Sequence, residues 1–365
     1  LGQLSSPRGL IEVDGQLLRW PDLISIRVIG TLYMAADSFE VKVNNSLMLS
    51  DWFKKNQEIK IYLGYVQDPN RWYKNELEHV FTGKIDGVSP SFSGDMTCRI
   101  IGRDYSAPFL DTTFTVAYAE RTASQIASLL CSKYGLTPNI TSTTEIIDRD
   151  MYQNRKEWEI LQSLADHEGF ICYVDKNKTF YFGQRDLSDE EIEANLFYRM
   201  GFKSNCQIDF DDNAVDSFNQ VTVRHYTQKQ LIEGTAKNDT LIESMGQVKE
   251  RVYYSSKVKT QAEAKQLADK LLPEFSRYVI TGKASKMAGV PTIACEKKVS
   301  VAGCGRFDGN YYVERYDLTL NKQGFLMGLD ITSLRPDEAE QYRQDLYSSD
   351  SSILGSSRKL GSGTL

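Results

Sequence analysis

Histidine is scarce in this chain: three among 365 residues, His79, His167 and His225. His79 and His225 fall in predicted strands with no Cys or His at ligand spacing, so zinc chemistry has no frame there. Six cysteines are present (Cys98, Cys131, Cys172, Cys206, Cys295, Cys304), and none forms a Cys-x-x-Cys pair. A chain this long needs no disulfide staples, and it shows no export signal, so free and mostly buried thiols and synthesis in a reducing cytoplasm are expected. No run of Lys and Arg is long enough for a nucleic-acid footprint. A basic amphipathic helix is also missing, so no stable membrane association is expected. No stretch approaches the ~20 apolar residues of a membrane span. The start, Leu1 to Arg8, has no apolar signal-peptide core. Gly-x-Ser-x-Gly and phosphate-binding Gly-Lys-Ser or Gly-Lys-Thr motifs are absent.

What is present is aromatic and β-favouring: 20 Tyr and 16 Phe, with 41% hydrophobic and 25% charged residues. These values describe a globular chain whose side chains suit a pleated, half-buried surface. From Leu10 to Arg103 the pattern has period two. Phe39, Val41 and Val43 alternate with Glu40, Lys42 and Asn44; Ile59, Ile61 and Leu63 alternate with Lys60 and Tyr62. Asp14-Gly15, Asp86-Gly87 and Ser93-Gly94-Asp95 mark turns. A small barrel or sandwich follows.

The pattern changes between Asp104 and Gln207. Thr122-x-x-Gln125 is a capping box leading into Ile126, Leu129 and Leu130, and Gly135 closes that helix. A second helix is predicted over Arg155 to Glu168, with Trp158, Leu161, Leu164 and Ala165 as its apolar stripe. Phe170–Val174 and Thr179–Phe182 read as a hairpin, and Ser188-x-x-Glu191 as a short helical turn. Beyond Ile208 strands return, interrupted by a helix capped at Thr260-x-x-Glu263. Ala264, Leu267, Ala268 and Leu271 share its face, and Pro273 is expected to end or bend it. Strands are predicted at 277–286, 298–301, 311–320 and 325–332. From Pro336 a short charged helix is expected, then a flexible Ser/Gly-rich end, Ser348 to Leu365, that cannot bury a core.

The expected class is therefore α+β and β-rich, in four parts: 1–103 a first barrel, 104–207 an α+β insert, 208–335 a second barrel with one helix, and 336–365 the tail. The two β blocks share a rhythm. Glu58 to Gly64, Phe81 to Gly87 and Cys98 to Gly102 in the first correspond to Lys298 to Gly303, Gly309 to Tyr316 and Gly324 to Leu329 in the third.

At these segments the chain resembles the phage late control gene D proteins and the baseplate hub proteins of contractile tails. It is also similar to the N-terminal half of type VI secretion spike proteins. The carriers at the front are Ala36-Asp37-Ser38-Phe39-Glu40-Val41, Phe81-Thr82-Gly83-Lys84-Ile85-Asp86 and Ile101-Gly102-Arg103-Asp104-Tyr105. At the back they are Gln261 to Ala264, Gly289-Val290-Pro291, Val299 to Gly303 and Asp308 to Val313. Their order and spacing, more than any one of them, carry the resemblance. It implies two tail-tube-like antiparallel barrels per chain and a homotrimer. Such a trimer would join a hexameric tail tube to a trimeric central spike in a virion tail baseplate or phage-tail-like injection particle, assembled in the bacterial host cytoplasm. Implied partners are the tube protein, the spike, other baseplate proteins and the tape measure protein. Nothing C-terminal resembles a β-helical spike or a lysozyme, so a spike would be a separate chain. The net charge of −6 is ordinary for solubility; as a conduit lining it would repel duplex DNA, leaving DNA only as transient cargo in the lumen.

No catalytic, cofactor-binding or metal-binding residue is assigned. Asp166-His167-Glu168 is the one suggestive cluster, and it falls at a helix end, where His⁺ suits the dipole. It carries the alternative reading, a cell-wall-degrading or glycan-binding tail enzyme. Asp209-x-Asp211-x-Asn213 opens like a calcium loop, but Ala214 replaces the required Gly and Gln220 the bidentate Glu. Gly303-x-Gly305 is followed by Gly309, one residue too late for a dinucleotide site, and joins strand to strand. Trp20, Trp52, Trp72 and Trp158 read as core or interface anchors. The sequons at Asn44, Asn139, Asn177 and Asn238 carry no weight without secretion. A simple tube subunit would need one barrel only.

Overall fold

The computed structural model describes residues 6–19, 22–31, 36–117, 120–147, 151–185, 191–201, 203–212, 218–226, 230–255, 258–276 and 280–334. Strands β1 (Ser6–Val13), β2 (Gln16–Arg19), β3 (Leu23–Thr31), β4 (Ser38–Asn44), β5 (Glu58–Val66), β6 (Glu78–Ser91) and β7 (Thr97–Asp104) form the first block. The middle follows as α1 (Ala107–Asp111), β8 (Thr113–Ala117), β9 (Arg121–Thr122), α2 (Ala123–Lys133), β10 (Thr137–Ile140), β11 (Ile146–Ile147), β12 (Met151–Lys156), α3 (Glu157–Glu168), β13 (Ile171–Val174) and β14 (Thr179–Gly183). Then come β15 (Ile192–Phe197), β16 (Gln207–Asp212), β17 (Gln220–Tyr226), β18 (Leu231–Lys237), α4 (Asp239–Met245), β19 (Glu250–Tyr254) and α5 (Gln261–Phe275). The last strands are β20 (Ile280–Ala288), β21 (Lys298–Ala302), β22 (Gly309–Asn321) and β23 (Gly324–Thr332). The class is α+β and β-rich, as the alternation predicts.

The chain divides into two compact units, Leu1–Asp209 with Lys283–Ile331, and Phe210–Gly282 with Thr332–Leu365. Residues 283–331, read from the sequence as part of a second barrel, group instead with the first block.

In the first unit one sheet runs β20-β23-β22-β3-β4-β7-β6-β5-β1-β2, with β21 also on β22 and β15 on β21. Alternate residues point inward: Ile11, Val13, Ile26, Val28, Val41, Val43, Ile59, Ile61, Leu63, Ile85 and Ile100 are all buried. Period-two patterning converts directly into this apolar interior. The sheet curls so that β1 packs against its inner strands: a Cβ on Gly9 in β1 would lie 2.9 Å from Ile26 in β3 and 2.5 Å from Leu320 in β22. Glycine is what lets the strands approach there.

The long strand β22 is a seam. Its first half pairs antiparallel with β21, from Lys298↔Tyr312 to Val301↔Gly309. Its second half pairs antiparallel with β3, from Arg315↔Thr31 to Leu320↔Ile26. The first and third blocks are thus joined through main-chain hydrogen bonds. Tyr316 lies directly opposite Gly30, where an added Cβ would sit 2.0 Å from the Tyr316 ring. Arg27 Nε donates to Asp317 Oδ2 at 2.9 Å across the same seam.

The middle segment has its own core. Thr122 and Gln125 form the expected capping box, and Gly135 adopts positive φ after α2. Ile126, Leu130, Trp158, Leu161, Leu164, Phe180 and Phe182 pack with Phe109. Helix α3 begins two residues later than predicted, at Glu157. Ile192–Phe197, counted in the insert by the sequence, is a strand that pairs parallel with β21. Most of the expected turn at 188–191 lies outside the described residues, as do the expected helix and tail from 336 onward.

In the second unit the sheet β18-β17-β19 packs against α5. Val221, Val223, Ile232, Ala236 and Tyr253 meet Ala264, Ala268, Leu271 and Phe275. Thr260 caps α5 by accepting from the Glu263 N–H. The helix continues two residues beyond Pro273, whose nitrogen has no hydrogen to donate to the carbonyl four residues earlier.

Candidate functional site

His167 does not gather a site around it. Its ring is exposed at the end of α3, and its Nδ1 lies 3.9 Å from Glu168 Oε1; the Asp166 side chain lies outside the described residues. His225 sits in β17, facing Ile232 of β18. Asp209 and Asp211 lie in β16; Asn213 and Ala214 lie outside the described residues. Gly303 and Gly305 adopt positive φ in the turn from β21 to β22. Asn238 caps α4, Asn177 occupies the β13–β14 turn, and Asn44 and Asn139 end or lie within strands. Trp158 is core, Trp52 tilts against Phe53 with ring centroids 4.8 Å apart, and Trp20 is outside the described residues. All six cysteines are free thiols, and Cys98, Cys131, Cys172 and Cys206 are buried.

His79 and Trp72, by contrast, belong to a cavity of about 780 Å³ on the outer face of the first block. The hairpin β1–β2 forms one wall. Glu12 faces Leu17 and Leu10 faces Arg19 across it, so all four side chains share that outer face. Tyr62 of β5 supplies the floor, and the 67–77 loop brings in Trp72, Tyr73 and Lys74. Beneath the loop, Leu10, Tyr62, Val66, Trp72 and Leu77 form a small second core on the outside of the sheet. The Arg19 guanidinium lies 5.5 Å from the Trp72 ring centroid, and Lys74 Nζ lies 4.4 Å above Tyr62. Both distances suit cation–π contact. Lys74 also pairs with Glu12, whose carboxyl is held below its ordinary value chiefly by that hydrogen bond. His79 stacks on Tyr62 with centroids 5.1 Å apart and sets its Nε2 2.7 Å from Thr82 Oγ1. Burial, and then the charges of Lys176, Lys60 and Lys74, push its pKa down. This arrangement can bind, through aromatic faces and a cation. The sequence signal is the run Arg71-Trp72-Tyr73-Lys74.

A second cluster forms where the front carriers of the resemblance converge. The Asp104 N–H donates to the Asp37 carbonyl at 2.9 Å. Asp37 Oδ1 accepts from the Thr31 N–H at 2.8 Å, and Asp104 Oδ1 from the Ser106 N–H at 3.0 Å. Burial and the neighbouring Asp104 charge push Asp37 up to about 8, and burial raises Asp104 as well. Arg103 Nε donates to Asp86 at 2.8 Å and its two terminal nitrogens grip Asp111 at 2.9 and 2.7 Å. The third network ties the middle segment to β5: Glu58 accepts from Tyr105 and Lys178, both at 2.5 Å, while Lys84 and Lys178 lie 5.3 and 5.1 Å from the Tyr105 ring. Burial opposes ionisation of Glu58, but the hydrogen bonds from Lys178 and Tyr105 hold its pKa below the ordinary value.

This architecture is the fold of phage tail proteins. The structure is similar to a prophage 43 kDa tail protein from Shewanella oneidensis at a TM-score of 0.65 and 16% identity, covering 91% of this chain and 99% of that one. A tail protein from Neisseria meningitidis gives 0.63 and 15%, with the same coverage. A chain of the Francisella PdpA-VgrG complex gives 0.56 and 11%, covering 92% of this chain and 59% of that one. Residues 35–320 match the family model described as the Alg8 N-terminal domain, and the chain belongs to that family. This is a different family from the late control gene D proteins that the sequence resembles. No curated protein matches the chain by sequence.

Proposed function

We propose that this chain is a structural, non-enzymatic baseplate hub of a phage tail or phage-tail-like injection particle. Three copies form a ring that joins a hexameric tail tube to a trimeric spike and lines part of the conduit. The observation that carries this reading is the seam. Two β blocks joined by β3 and β22 within one chain give a trimer six blocks, the count a hexameric tube requires. Similarity in fold to tail proteins over nearly their whole length supports it. The tube protein, the spike, neighbouring baseplate proteins and the tape measure are the partners, with DNA as passing cargo, and the location is the tail baseplate.

Light scattering on the purified chain tests the assembly. The expected mass is three times 41.5 kDa. If the chain remains a monomer both alone and mixed with its tube and spike proteins, the trimeric adapter is wrong.

A further inference from the structure

Strand β2 ends the sheet order, with no strand on its outer side among the described residues. The β1–β2 turn is Asp14-Gly15, with φ of 47° and 82°, a two-residue turn of the primed kind. Val13↔Gln16 is then a hydrogen-bonded pair, Glu12↔Leu17 is not, Ile11↔Leu18 is, and Leu10↔Arg19 is not. The main-chain groups of Leu17 and Arg19 therefore point away from β1, toward the open edge. Of these, only the Arg19 carbonyl has a partner among the described residues, the Asp22 N–H at 3.2 Å. The side chains of these same two residues line the aromatic cavity. Leu17 is 48% exposed and Tyr73 75% exposed, so apolar surface stands open beside the edge. Lys74 has Glu12, but Arg19 has no carboxylate among the described residues. It lies against Trp72 with its guanidinium edge available for a planar, two-pronged anion.

We propose that this edge takes an extended segment of a partner polypeptide as an added strand. The segment pairs with Leu17 and Arg19 through the main chain. It sets an apolar side chain against Leu17 and Tyr73 and, two residues away on the same face, a carboxylate against Arg19. Main-chain bonds supply affinity and the alternate side chains supply selectivity. A second copy's own β2, Gln16–Arg19, has no carboxylate to offer Arg19, which favours a partner segment of this chemistry, and the inference stands whether or not the chain is a trimeric hub.

The test uses the full chain and a fluorescent hexapeptide, acetyl-Thr-Leu-Thr-Asp-Thr-Val-amide, followed by anisotropy, with hydrogen exchange read at the Leu17 amide. Binding with protection of that amide is expected. Arg19→Glu should weaken binding by about tenfold or more and shift preference to the same peptide with Lys in place of Asp. Leu17→Pro should abolish binding with the fold intact, because the lost N–H makes no bond to β1. Circular dichroism of both variants checks the fold. No binding at millimolar peptide would overturn the proposal, as would binding indifferent to both substitutions. Concentration-dependent dimerisation lost in Leu17→Pro would also overturn it, giving the edge to a second copy.

Discussion

Asp37 and Asp104 are the residues whose chemistry most departs from their sequence appearance. In the sequence they stand only as members of the segments Ala36 to Val41 and Ile101 to Tyr105. Only the fold reveals that one N–H and carbonyl tie them together and that burial raises both. Asp37 has a folded value raised above its unfolded one. Its stabilising contribution is complete below about pH 4, the unfolded range, and is lost as pH rises through about 8. Asp37→Asn should therefore raise the melting temperature at about pH 8 and flatten the fall in stability as pH rises toward that value. An unchanged pH profile by calorimetry would contradict this. Glu58 has the opposite sign: its lowered value stabilises above the unfolded carboxylate range and is lost as pH falls through the folded value. Gly30 makes a steric prediction. Gly30→Val would drive a side chain into Tyr316 and should cost about 3 kcal/mol in urea unfolding.

At the scale of elements, much was legible in the sequence. A capping box at Thr122 and an N-cap at Thr260 mark α2 and α5, because a cap and its apolar stripe are local signals. The alternation of Phe39 to Val43 and Ile59 to Leu63 marks β4 and β5 for the same reason. Pairings were not legible. The parallel pairs β10–β14, β15–β21 and β17–β19 link segments distant in sequence, and no local pattern specifies a partner. The cavity escaped notice because Arg19, Tyr62 and Trp72 come from three separate elements. The Glu58–Tyr105–Lys178 network also joins distant segments, and it predicts how the middle segment is held. The double variant Tyr105→Phe, Lys178→Ala should speed amide exchange in β13 and β14 while leaving β4 and β7 protected. Equal exchange in all four strands would show that the network does not hold them.

At the scale of the whole molecule, the chain is a tail-protein fold of two units, the first of which is discontinuous in sequence. That discontinuity returns to the seam. The edge of β3, complete once Thr31 is made, waits for a partner at residues 315–320. During synthesis the ribosome must therefore add almost three hundred more residues before that edge is covered. Strand pairing across such a separation is slow, and an uncovered edge invites pairing with other nascent chains. The β3–β22 junction closes late, so the last sixth of the chain decides when the first tenth is safe. Nascent chains stalled before Gly309 should aggregate, and a peptide spanning Gly309 to Asn321 supplied in trans should suppress it.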